Sequence, residues 1–194
     1  MKKLSILMAS LEIRREQRQE VLRRISFQIA GLGIGEGEIE ILTFIDHKEH
    51  SVGHKRTRLV QEASGMFVCF VDDDDQVAMD YVPSIYNTII SNSHIDCIGF
   101  KGIITFAGQN PKEFIHSIQY KEWFEKDDVY YRPPNHLNPM RREIAASSPF
   151  PDKNCGEDFD WAMKIRPHLK EEVFLDKIMY YYLYDQNKTE AQRS

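Results

Sequence analysis

Met66-Phe67-Val68-Cys69-Phe70-Val71, followed at once by Asp72-Asp73-Asp74-Asp75, decides how this chain is read. Six apolar residues without polar alternation describe a strand buried on both faces, the kind found in a parallel sheet covered by helices. Four carboxylates at the end of such a strand repel one another, and a cation must offset them. Oxygen-only ligands favour Mg²⁺ or Mn²⁺, ions that keep some waters and accept substrate phosphate oxygens. The competing reading is an acidic turn capping the following helix, where the macrodipole favours negative charge. An EF-hand is excluded, because the Asx-x-Asx-x-Asx-Gly spacing and its distal Glu are absent.

Upstream, Leu4 to Met8 reads as a first strand, and Val21, Leu22, Ile25 and Ile29 recur at helical spacing. Ile39 to Ile45 is a β-branched strand ending at Asp46, and a helix from about Lys55 to Ala63 turns Leu59, Val60 and Ala63 to one side. Two βαβ units in succession imply an α/β fold with ligands at the carboxyl ends of the strands, where Asp46 and Asp72 fall. Gly31, Gly33, Gly35 and Gly37 follow a helix and precede a strand, the reverse of a dinucleotide fingerprint, and read as a turn.

Downstream the pattern loosens. Tyr81 to Ile90 looks helical, Asp96 to Phe106 forms one or two strands, and Pro111 to Pro139 is an irregular stretch rich in aromatic, Pro and Asn residues. Asp158 to Leu169 is helical, with Trp161, Ile165 and Leu169 on one side, and Val173–Leu175 and Met179–Tyr184 resemble late strands.

With 194 residues the chain reads as a single domain, 1–194, with a nucleotide-binding half over 1–75 and an acceptor-side half over 76–194. The composition, 42% hydrophobic and 28% charged, is that of a globular protein, and no run approaches the roughly 18 apolar residues of a membrane span. Leu4 to Met8 is too short for a signal-peptide core, so the reading is cytoplasmic. Cys69, Cys97 and Cys155 are odd in number and widely separated, as expected of reduced, buried thiols. The net charge of -5 argues against a nucleic-acid partner, which would need many phosphate-neutralising cations. Arg14, Arg15, Arg18, Arg23 and Arg24, interleaved with Glu16 and Glu20, read mainly as a solvated helix face.

Two further clusters carry chemistry. In Gly53-His54-Lys55-Arg56 a glycine turn delivers Lys55 and Arg56 to the start of a helix, against its dipole, so an anion nearby would account for them; a plain surface position is the alternative. In Gly156-Glu157-Asp158-Phe159-Asp160-Trp161 adjacent carboxylates open a helix. They serve either as first-turn acids that suit the dipole or as a general base beside a metal and nucleotide, and spacing alone does not separate the two.

Taken in order, these blocks resemble the family-2 glycosyltransferases of GT-A type over nearly the whole chain. The resemblance rests on Leu4-Ser5-Ile6-Leu7-Met8, on Asp46, on Gly53-His54-Lys55-Arg56-Thr57 through Phe70-Val71-Asp72-Asp73-Asp74-Asp75, and on Gly156-Glu157-Asp158 with Trp161. Ala9-Ser10 stands where proline and threonine are common, and Thr57 replaces the usual asparagine. The resemblance implies a GT-A, Rossmann-like, mostly parallel central sheet flanked by helices. It implies a metal-dependent glycosyltransferase that uses Mn²⁺ or Mg²⁺ and a nucleotide-diphospho-sugar, most often a UDP-sugar. The acceptor would be a glycan or another hydroxyl-bearing molecule.

Residue by residue, the resemblance makes Asp72 and Asp74 the metal pair, with Asp75 able to share the role. Ser10, Asp46, Lys55, Arg56, Asp72 and Asp73 become donor-binding positions. Asp158 becomes the catalytic base of an inverting transfer, with Glu157 orienting it or binding acceptor. Asn135, His136 and Trp161 fall on the acceptor side, along with Arg141 and Arg142, although a histidine beside prolines serves equally as a loop packing residue. Two rivals remain. A nucleotidyltransferase would carry a glycine-rich basic loop after the first strand, where Ala9-Ser10-Leu11-Glu12 stands. A catalytically silent nucleotide-sugar-binding module is the other.

Overall fold

A computed structural model describes residues 2–35 and 37–185. β1 (Leu4–Leu11), α1 (Arg15–Gly31), β2 (Ile39–Asp46), α2 (Val52–Glu62) and β3 (Phe67–Phe70) make the two expected βαβ units. β1 runs parallel to β2 from Leu4 opposite Ile39 to Leu11 opposite Asp46, and parallel to β3 on its other edge. Leu4, Ile6 and Met8 pack into one core cluster with Val21 and Ile25 of α1, while Leu7 points into a second with Leu59 and Val60 of α2. Helices therefore cover both faces of β1, which is why it carries no solvent-facing polar stripe.

The chain continues through β4 (Gln76–Val77), α3 (Tyr81–Ser91), β5 (Cys97–Phe106), β6 (Gln109–His116), β7 (Phe124–Lys126), β8 (Val129–Arg132), β9 (Met140–Arg141), α4 (Arg142–Ala145), α5 (Glu157–Ile165) and β10 (Glu172–Tyr184). Among the described residues one ten-stranded sheet runs β2-β1-β3-β9-β5-β6-β8-β7, with β10 lying along β5 and reaching β4. Its long ladders, β1 with β2 and β5 with β10, are parallel, and β9, β6, β7 and β4 join as antiparallel additions. The mostly parallel α/β sheet flanked by helices is the expected fold class.

Several local expectations are corrected. The segment 111–139 is irregular only in part: β6, β7 and β8 run through it between loops at 117–123 and 133–139. Its hairpins turn through Ala107-Gly108 and Asp127-Asp128, all four at positive φ, the left-handed backbone of two-residue hairpin turns. The two late strands are one, β10, interrupted by register shifts between Leu175 and Tyr180. α5 stops at Ile165 and passes into a 3₁₀ turn, Arg166–His168, because Pro167 has no N–H to continue the α-helical ladder. α2 begins at Val52, ahead of Lys55, because the Ser51 hydroxyl caps it by accepting from the His54 N–H.

Gly31 ends α1, and Gly33, Gly35 and Gly37 lie between it and the amino end of β2, away from the carboxyl ends of the strands. Gly33 and Gly37 have positive φ, as a turn requires. Cys69 and Cys97 are buried and unbridged, with burial pushing the Cys69 thiol up to about 12, but Cys155 is exposed. Among the described residues no helix is long and apolar enough to cross a membrane.

Candidate active site

The four aspartates leave β3 in four different environments. Asp72 pairs its Oδ1 with Arg56 at 2.9 Å and sets its Oδ2 3.4 Å from His136 Nε2. Asp73 is buried and accepts from the Ser10 hydroxyl and from Arg14. Asp74, partly exposed, meets Arg14 at 3.0 Å. Asp75 is buried, accepting from Tyr180 Oη at 2.9 Å and the Leu183 N–H at 2.8 Å. The repulsion that the sequence demanded be offset is met first by protein cations, Arg14 and Arg56. β4 follows the acidic turn and α3 opens only at Tyr81, so the aspartates cap no helix.

The electrostatics differ accordingly. Burial alone would raise the Asp72 carboxyl, but the Arg56 charge and the His136 contact hold it well below the usual range. Burial pushes Asp75 well up, helped by the charges of Asp72 and Asp74. Burial also raises Asp73, against the pull of Arg14 and Ser10.

Lys55 and Arg56, at the start of α2, are both buried, which excludes the surface reading. Lys55 Nζ reaches Asp46 at 2.7 Å and the Ser10 carbonyl at 3.0 Å. Arg56 reaches Asp72 and, at 2.7 Å, Glu157. Burial would lower the Arg56 pKa, and the charges of Asp72, Glu157 and Asp158 instead raise it. The compensating anions are carboxylates of the protein. Asp46 is thereby committed: burial raises its carboxyl, while Lys55 and the N–H groups of His50 and Lys48 outweigh that and lower it.

Gly53 explains how α5 comes to this place. A Cβ there would lie 1.8 Å from the Pro151 carbonyl oxygen, and the Gly53 N–H donates to the Lys153 carbonyl at 3.2 Å. Only a glycine lets segment 151–153 cross the first turn of α2 so closely. Thr57, in place of asparagine, accepts from the Phe150 N–H at 3.0 Å and ties down the same segment. Gly156, at φ 71°, then turns the chain into α5.

Glu157 is buried on Arg56, and Asp158 stays partly exposed with Oδ2 3.6 Å from His136 Nδ1, too far for a hydrogen bond. His136 thus stands between Asp72 and Asp158. A cavity of about 440 Å³ gathers Arg56, Asp72, Asn135, His136, Glu157 and Asp158. A second cleft of about 160 Å³ is lined by Ser10, Arg14, His50, Ser51 and Lys55, and Asn154 borders both.

Some expected contacts do not assemble. Trp161 is a core residue, 1% exposed, stacked on Phe150 with its N–H on the Ser148 carbonyl, and it lines neither cavity. Arg141 and Arg142 bond main-chain carbonyls elsewhere, beside a separate small cleft. Arg14 and Arg18 are not a solvated face: Arg14 folds onto Asp73 and Asp74, and Arg18 onto Ser10 and the Leu11 carbonyl. Sequence reading also passed over Trp123, Arg132, Cys155 and Tyr182, which line the larger cavity. The hairpin turns that build that wall were its available signal.

Among the described residues no group of three or more His, Cys, Asp or Glu side chains is arranged to hold a metal. Asp72 and Asp74 nevertheless form an all-oxygen pair, each with about a quarter of its side chain exposed. That donor set fits Mg²⁺ or Mn²⁺ as an open site completed by ligand phosphates.

No family model matches the sequence, and no curated protein matches it. Solved structures do match in fold. S. aureus TarS 1–349 in complex with UDP superposes with a TM-score of 0.68 at 17% identity over 94% of this chain and 60% of that one. TarS 1–349 in complex with UDP-GlcNAc gives 0.64 at 16%, over 94% and 58%. A longer TarS structure gives 0.65 at 16%, over 94% and 37%. The chain shares the fold of these TarS structures. At this identity the likeness is one of fold, and the chain spans less than two thirds of the length of each of these structures.

Proposed function

We propose that the chain transfers a sugar from a nucleoside-diphosphate donor to an acceptor hydroxyl, with Asp158 as the base and inversion at the anomeric carbon. The observation that carries this reading is the cavity that brings Asp72, His136 and Asp158 together from three separate segments at the strand ends. The smaller cleft opens beside it, next to Ser10 and Lys55, and offers a place for the nucleoside. The fold likeness to TarS structures that hold UDP and UDP-GlcNAc supports a UDP-sugar as donor.

In the proposed reaction the acceptor oxygen attacks the anomeric carbon from the face opposite the diphosphate. The carbon–oxygen bond to the diphosphate breaks, its electron pair leaves with UDP, and the hydroxyl proton passes to Asp158. Arg56 acts through position: holding Asp72 and Glu157 at once, it fixes the strand end relative to the first turn of α5 and so places Asp158. Lys55 and Asp46 do the same for the ends of β1 and β2 around the smaller cleft. Asp72 and Asp74 would hold Mg²⁺ or Mn²⁺, which neutralises charge on a leaving diphosphate.

The test is release of UDP from a panel of UDP-sugars with Mn²⁺, with and without EDTA and candidate acceptors. Transfer that disappears in Asp158→Asn while UDP binding persists is the expected result. Undiminished turnover in that variant would sink the base assignment, and UDP binding without any release would favour the silent binding module.

A further inference from the structure

Most buried guanidinium groups in the molecule have oxygen partners. Arg14 has Asp73 and Asp74, Arg18 has Ser10 and the Leu11 carbonyl, and Arg56 has Asp72 and Glu157. Arg132 differs. It ends β8, opposite His116 in the parallel pairing with β6, and lines the larger cavity. Its guanidinium carbon lies 4.2 Å from the Trp123 ring centroid and 5.3 Å from that of Tyr130. Among the described residues no oxygen accepts a hydrogen bond or ion pair from it.

Ring faces attract a cation but offer no lone pair for its five N–H groups, and arginine does not shed its proton in a protein. The charge therefore stays, on a half-buried side chain that opens to the cavity. Burial acts to lower the Arg132 pKa, and Asp158 is the first of the groups opposing it.

Asp158 faces the same cavity but makes no ion pair with Arg132. His116 is fully buried with Nδ1 2.9 Å from Asn138 Oδ1, and that oxygen also accepts from the Asn135 N–H. Burial keeps the imidazole neutral. The Trp123 indole N–H, in the same wall, is a buried donor with no acceptor. A cation and a second donor, both lacking acceptors, line a cavity that also contains Asp158. Groups of this kind are satisfied by a bound anion.

We propose that Arg132 and Trp123 form an anion subsite at the acceptor end of the cavity, and that the acceptor carries a phosphate or carboxylate beside the hydroxyl to be glycosylated. The proposal rests on the glycosyl-transfer reading for the word acceptor, and on the geometry alone for the anion.

The test saturates the protein with UDP and Mn²⁺ and then titrates glycerol phosphate, glucuronate and neutral glycerol by calorimetry. One of the two anions binds saturably and glycerol does not; which anion binds more tightly distinguishes phosphate from carboxylate. Arg132→Met weakens that anion about 10- to 100-fold while leaving UDP affinity unchanged. Arg132→Lys, which keeps the charge without the planar fork, falls between the two. Trp123→Phe keeps the ring, removes the N–H donor and gives a smaller loss, which serves should Arg132→Met fail to fold.

Equal anion affinity in parent and Arg132→Met overturns the proposal. So does a matching fall in UDP affinity, which would place Arg132 in the donor site. Arg132-dependent anion binding in a protein that binds no UDP would sink the glycosyl-transfer reading and leave the anion subsite standing.

Discussion

The two sides of the strand ends handle charge in opposite ways. Around the smaller cleft the charges are closed on one another: Lys55 on Asp46, Arg14 on Asp73 and Asp74, Arg18 on Ser10 and the Leu11 carbonyl. Across the larger cavity, beyond the Arg56 pairs with Asp72 and Glu157, they are left open. Among the described residues the Asp158 carboxylate, 3.6 Å from His136, accepts no hydrogen bond, and Arg132 stacks on aromatic rings without an ion pair, each feeling the other's charge across the cavity. Buried ion pairs cost desolvation and return it only with good geometry, so the closed side fixes where the backbone sits. The open side holds groups that a ligand can still engage. Arg56, in the larger cavity, is closed on both Asp72 and Glu157 and so joins the end of β3 to the first turn of α5.

The largest effect comes from cutting that junction. Arg56→Met leaves Asp72 and Glu157 facing each other without a counter-charge and should cost about 3–5 kcal/mol in urea unfolding. Arg132→Met, on the open side, should melt no lower than the parent. Equal losses in the two would erase the distinction between the sides.

Next comes the chemistry. Asp158→Asn should lower kcat by roughly 10²- to 10⁴-fold with little change in stability, read from steady-state kinetics alongside thermal melting. A smaller effect follows from the crossing of segment 151–153 over α2. Gly53→Ala forces that segment away and should cost about 1–3 kcal/mol, with a fall in kcat because Asp158 moves with it.

The smallest effect lies far from either cavity, at the edge of the closed side. Burial would raise the Glu40 carboxyl, but hydrogen bonds from Lys2, Ser5 and Ser64 hold it at about 2 against its usual 4.5. Because the folded pKa is depressed, the stability it contributes is present above about 4.5 and lost as pH falls toward about 2. Glu40→Gln should flatten the acid limb of a stability curve in that window and leave turnover untouched.

How much of this was legible in the sequence also divides along the two sides. The buried β3 announces itself as an unbroken apolar run and β1 and β2 as short apolar, β-branched stretches, so these strands and the carboxylates at the ends of β2 and β3 could be placed from the sequence pattern. Their partners could not. Nothing in the spacing says that Arg14 turns back onto Asp73 while Arg23 stays on Glu20, since both sit in one helical pattern. The open side was harder still. Its wall is built from short strands joined by two-residue turns, and Ala107, Asp127 and Asp128 are inconspicuous residues for a left-handed backbone. Trp161 marks the same limit: placed one turn after Asp158 it looked available, but tertiary packing turned its ring onto Phe150.

The central claim is that the strand ends bind a nucleoside diphosphate whether or not the base is intact. Calorimetric titration of UDP with Mn²⁺ into the parent and into Asp158→Asn tests it most directly. The account predicts saturable one-to-one binding of similar affinity in both proteins, and absence of UDP binding to the parent with either Mn²⁺ or Mg²⁺ would contradict it.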